Sequence, residues 1–241
     1  MKRKRLLIGG MATMLLAIAC CLAGLFYALR QVPDFYALAD EQLPVKQIRR
    51  EQAKQLEQRT VNFVERLEES TDSWSETFEQ QQINSWLVEE LPNKHSKRMP
   101  RGIADPRVVL EPARVQIGFK LTQKSWSGII SVVVLPKVPT PNSLEFHIES
   151  VSAGLVALQY ERFLPEINRA LNRSKLPYEW SETDDGIRVL HLSLAEKLKQ
   201  QTIESIGVED EHITINGRRL DDGTEDFHFR QVARQIGIVI Q

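Results

Sequence analysis

Side chains able to hold a proton, a metal or a nucleophile are few and scattered in this chain of 241 residues. The five histidines are His95, His147, His191, His212 and His228, and they form neither an HExxH nor any close pair. A zinc site needs three or four converging ligands, which that spacing does not supply. The densest acidic run, Asp221-Asp222-Gly223-Thr224-Glu225-Asp226, has its glycine third, where a calcium loop of the EF-hand type needs it sixth. A solvated turn is the expectation. No G-x-S-x-G surrounds any serine, and Gly9-Gly10 is no phosphate loop. Both cysteines, Cys20 and Cys21, fall in the first thirty residues, so thiol chemistry is absent from the rest. Lys94, Lys97, Arg98 and Arg101 could touch a phosphate headgroup or an acidic partner, but a solvated loop is the default. No catalytic residue, cofactor or metal ligand is therefore expected, and the protein is not expected to be an enzyme.

The elements that would carry such residues divide into two unlike parts. Lys2, Arg3, Lys4 and Arg5 precede an uncharged run from Leu6 to Leu29, which Arg30 ends. As a helix those residues span roughly 36 Å, enough for the hydrocarbon core of a bilayer. The basic flank predicts a cytoplasmic N-terminus and an extracytoplasmic remainder. Two other readings compete with this anchor: cleavage after Ala17-Ile18-Ala19, or lipidation at Cys20. The expected division is a basic tail (1–5), a single transmembrane anchor (6–29), a juxtamembrane connector and helix (30–73), and an extracytoplasmic domain (74–241). The chain is 42% hydrophobic and 26% charged, with formal net charge −1. Without residues 1–30 it keeps 26 basic against 32 acidic residues, a charge of −6 that argues against nucleic acid as a partner.

Phe35 and Tyr36 in the connector suit a membrane-interface belt. Ala53, Leu56, Thr60, Phe63 and Leu67 then repeat at 3-4-3-4 spacing, a helical stripe that packs on its own domain or pairs in a short coiled coil. An extended stretch is expected at Trp74–Phe78. A second helix follows from Glu79 to Leu91, with Ile83, Trp86, Leu87 and Leu91 on its apolar face and Pro92 as its stop. Beyond Pro106 the period changes to two. Val115, Ile117, Phe119 and Leu121 alternate with polar residues, as do Leu144, Phe146 and Ile148. Between them Ile129–Leu135 reads as a more central strand, and Pro136, Pro139 and Pro141 predict the turn after it. Phe163–Leu171 has helical spacing. Asp184-Asp185-Gly186 predicts a hairpin between Tyr178–Trp180 and Ile187–Leu194. A helix from Ala195 to near Gly207 and short strands at Ile213–Ile215 and Ile236–Ile240 complete the reading. His147 and His191 fall on strands, opposite the apolar side, and are expected to face solvent.

Two phrases carry a family likeness: Phe78-Glu79-Gln80-Gln81-Gln82-Ile83-Asn84-Ser85-Trp86-Leu87, and Ile148-Glu149-Ser150-Val151-Ser152-Ala153-Gly154-Leu155. With the leading anchor they resemble the YpmS-like bacterial membrane-anchored envelope proteins, over roughly Trp74 to Leu194. Those proteins often carry a proline soon after the second phrase, whereas Val156-Ala157-Leu158-Gln159 has none. The resemblance implies an extracytoplasmic, non-enzymatic domain that handles lipid, and brings no catalytic residue with it.

The fold class expected is α+β, a curved and mainly antiparallel sheet packed with helices behind a transmembrane helix. The expected function is binding or scaffolding in the bacterial cell envelope, at the cell membrane. Phe119, Leu121, Ile129, Phe146, Ile148 and Ile167 would line an apolar groove for a lipid or acyl chain. The alternatives are assembly with another envelope protein through the juxtamembrane helix, and an envelope hydrolase without a recognisable motif.

Overall fold

A computed structural model describes residues 17–69, 73–94, 102–123, 126–174, 176–198 and 200–219. The fold is α+β, with a mainly antiparallel sheet packed with helices. Helix α1 covers residues 17–28, and its side chains from 17 to 27 are exposed. They include the large apolar residues Ile18, Leu22, Leu25 and Phe26. Among the described residues no helix is long and apolar enough to cross a membrane. Residues 6–16 of the expected span lie outside the described residues.

Two helices follow: α2 (Asp34–Glu41) and α3 (Lys46–Glu69). The expected belt at Phe35 and Tyr36 is corrected, because Tyr36 is buried against the sheet. Its hydroxyl donates to the Asp105 carbonyl at 2.6 Å. Burial pushes its phenol pKa up, against the opposing charge of Arg107. Helix α3 contains no Gly or Pro and is rich in good helix formers. Its stripe packs on its own domain: Ala53 and Leu56 are buried, and Phe63 meets Trp74 and Phe78 edge-on.

The smaller sheet runs β1 (Ser73–Glu79), β10 (His212–Arg219), β9 (Gln201–Glu209), antiparallel throughout. Glu76 on β1 is buried and paired with Arg59 and Arg66 of α3. The helix expected from Ala195 to Gly207 is corrected: α7 covers only Ala195–Leu198, and β9 follows. Ile203 pairs with Gly217 and Ser205 with Asn216, which leaves Glu204 as an extra residue. That bulge stretches the alternation so that Ile203 and Ile206 stand three apart and imitate a helix.

The larger sheet has the order β2 (Ile103–Glu111), β3 (Arg114–Gln123), β4 (Trp126–Thr140), β5 (Ser143–Ala153), β8 (Arg188–Ser193), β7 (Tyr178–Glu182). The short β6 (Val156–Ala157) pairs with β5, and α6 (Leu164–Ser174) follows it. Of the three prolines expected to make the turn, Pro141 stands in it, but Pro136 and Pro139 are corrected: β4 runs through both. Its β3 partner ends at the Val115–Val134 pair, so beyond Val134 that side of β4 has no β3 ladder for a proline to interrupt. The turn is made by Pro141 and Asn142, the latter in the left-handed region at φ 62°. Its side-chain amide bonds the Gln201 carbonyl and the Ile203 amide, tying this hairpin tip to β9.

Helix α4 (Gln80–Glu89) inverts the expected face. Gln80, Asn84, Ser85 and Glu89 are its buried residues, whereas Ile83, Trp86 and Leu87 are half-buried. The cause is the free edge of β2. Asn84 donates to the Val108 carbonyl and accepts from the Val108 amide, at 2.7 and 2.8 Å, while Gln80 accepts from the Leu110 amide. Side-chain amides thus replace a missing strand. Pro92 does not stop the helical run either, since α5 (Leu91–Lys94) holds it in a further short turn where its lost N–H costs nothing. Ile236–Ile240, His95, His228 and the Asp221–Asp226 run lie outside the described residues.

Candidate functional site

Cross-strand register assembles one apolar face on the larger sheet. Phe119, Ile130 and Ala153 stand side by side on β3, β4 and β5. Ile117, Val132 and Val151 form the next rung, and Val115, Val134 and Ile148 the one after. Pro136, Phe146 and Leu190 extend it across β5 into β8. Only Ile130, Val151 and Ala153 are buried, packed by Leu29, Trp126, Leu158, Tyr160 and Phe163. The other members of these rungs are half-buried. Helix α6 reaches the same face through Asn168, which accepts from Trp180 at 2.9 Å, and the turn before it does so through the Tyr160 hydroxyl, 3.1 Å from Arg188.

Of the six groove residues expected, Phe119, Leu121, Phe146 and Ile148 share this face. Ile167 belongs to α6, and Ile129 is corrected: it is buried on the opposite face, one residue out of phase with Ile130. The residues missed are those at the end of the stripe nearest α1. Leu29 packs on the buried cluster, and the carbonyls of Ala28, Leu29 and Gln31 crowd Gly154 and Gly128, where no Cβ would fit. Gly154 has φ 55°, a conformation suited to glycine. Gly154 stood in one of the two quoted phrases, but only the fold shows what its missing side chain admits. Cavities among the described residues lie elsewhere. One of about 270 Å³ sits between α2 and α4, lined by Gln80 and Asn84, and a trough of about 700 Å³ follows the polar side of α3.

The opposite face carries a hydrogen-bonded chain that the sequence did not reveal. Ser181 on β7 lies 2.6 Å from His191 Nε2, and His191 Nδ1 lies 3.2 Å from Glu145 Oε1. The second oxygen of Glu145 meets His147 Nε2 at 3.0 Å. The expectation of two solvent-facing histidines is thereby corrected, since one carboxylate joins both. With Nδ1–H donating to Glu145, the other nitrogen of His191 is left to accept from the Ser181 hydroxyl. That order is the one in which a histidine can take a serine proton. Ser181 itself is exposed. Among the described residues no group of His, Cys, Asp and Glu could hold a metal.

No family model matches this chain, and no curated protein matches it either.

Proposed function

We propose that the protein is a single-pass, membrane-anchored extracytoplasmic protein of the bacterial cell envelope whose sheet receives a lipid acyl chain. The observation that carries this reading is the position of Leu29, which ends the uncharged run and also packs on the buried cluster of the apolar face. Beyond the buried Ile130, the half-buried part of the stripe from Val132 to Pro136 extends about 13 Å along β4 at the rise of a strand. An apolar surface of that length, left half-buried, gains by covering. The exposed apolar side chains of α1 support the anchor, because such a surface has no favourable partner in water. Assembly through α3 has less support, since Ala53, Leu56 and Phe63 are occupied within the domain. The test is native mass spectrometry of the full chain released from detergent. Wild type retains a phospholipid that Phe146→Asp with Leu190→Asp loses. Equal lipid on both proteins would overturn the reading.

A second reading is favoured by one specific observation, the Ser181–His191–Glu145 chain. In this reading the domain hydrolyses esters, with Ser181 as nucleophile and His191 as base. A fluorophosphonate probe should then label wild type and not Ser181→Ala. Equal labelling of the two proteins would retire it.

A further inference from the structure

The turn between β5 and β6 meets the last turn of α1 in a way that no tether would require. The Leu155 amide donates to the Ala28 carbonyl at 3.0 Å, and Gly154 admits the backbone of Ala28, Leu29 and Gln31. Ala28 lies within the uncharged run, two residues before Arg30. Leu155 therefore stands at the height where that run ends. The residue is 70% exposed, the highest value among the exposed large apolar residues described, and Tyr27, next in sequence to its partner Ala28, is 69% exposed. A lone exposed leucine is ordinary. This one sits in an uncharged stretch from Ser150 to Tyr160, fixed to the end of an apolar helix. Arg30 folds back over the Phe26 ring at 4.3 Å, the posture of a cation at a membrane boundary.

The geometry points to a second membrane contact: the Gly154–Leu155 turn inserts Leu155 into the lipid boundary of the leaflet from which residue 29 emerges. The occupant is the bilayer surface itself, because the turn is hydrogen-bonded to the last turn of α1, whose side chains from 17 to 27 are exposed. This inference rests on the anchor proposed above. It places the Leu29 end of the apolar stripe against the lipid, and the Asn142 turn about 35 Å away at the other end of β5. The domain then stands on the membrane in one orientation instead of swinging from it.

Depth-sensitive spin labels test it. In a Cys20→Ser, Cys21→Ser background, Leu155→Cys, Phe26→Cys and Thr140→Cys are each labelled in the full chain and reconstituted in phosphatidylcholine vesicles. Accessibility to oxygen over a polar nickel complex reads depth. The expected result is a Leu155 label several-fold more oxygen-accessible relative to nickel than the Thr140 label, and shallower than the Phe26 label. A Leu155 label as wet as Thr140 beside a lipid-exposed Phe26 label overturns the turn contact and leaves the anchor standing. If the Leu155 and Phe26 labels are both as wet as Thr140, the anchor falls with it.

Discussion

At its β2 edge the larger sheet meets α4 through buried amides, whereas at its Gly154 end it meets α1 through bare backbone and Leu29. The first junction is polar and directional. Asn84 satisfies both backbone groups of Val108, and a one-residue slip would leave all of them unpaired in the interior. The second is close and apolar. Two glycines let the chain leave the helix within contact of the strands, so the helix cannot pivot freely. One junction fixes register, and the other fixes the direction in which the chain leaves α1. Both sequence phrases map onto these junctions through Asn84 and Gly154, which gives them a structural meaning.

The comparison breaks most visibly at Asn84. Asn84→Leu removes two hydrogen bonds to a buried edge and should cost about 2–5 kcal/mol, read as a lower urea midpoint by tryptophan fluorescence of the full chain. Its effect on amide exchange should concentrate at Val108 and Leu110. Gly154→Val should cost at least about 1–3 kcal/mol through strain in the left-handed region, and more because its Cβ would meet the Ala28 carbonyl. Here the fast-exchanging amide should be Leu155, with Val108 unchanged. If both substitutions loosen the same amides, the two junctions are not independent.

Acid should separate them again. Burial alone would raise the Glu89 carboxyl, but the hydrogen bonds and charges of Arg49 and Arg50 outweigh it and hold the pKa below its ordinary 4.5. A lowered carboxyl contributes stability that is present above its unfolded value and lost as pH falls through the folded value. Below about pH 4.5 the packing of α3 on α4 should therefore loosen, seen as proteolysis between them, before the Leu155 amide opens. The smallest effect is expected at Lys94. It pairs with Glu57 and Glu90 on the surface, and Lys94→Ala should leave the urea midpoint unchanged within error.

Strands whose pattern is local were legible in the sequence. Val115 to Leu121 alternates cleanly because one side of β3 is apolar, and Gly186 marks its hairpin because only glycine takes φ 78° there without cost. Elements decided by a distant partner were not legible. The polar face of α4 looks wrong until the edge of β2 is in view, and the bulge at Glu204 disguised β9 as a helix. Ser181, His191 and Glu145 each sit on the polar phase of a strand, but only the order β5-β8-β7 brings them together. Ile129 and Ile130 are adjacent apolar residues, and alternation alone cannot choose which of them faces the groove.

The central claim is that the apolar face of the larger sheet receives an acyl chain beside the anchor. The most direct measurement is photo-crosslinking of the full chain in vesicles containing a phospholipid with a diazirine at its acyl terminus. Labelled peptides covering Val115–Leu121 and Leu144–Ile148 are expected in addition to residues 6–29. Label confined to residues 6–29 and the Leu155 turn would contradict it, leaving an anchored domain that touches the membrane but takes up no lipid.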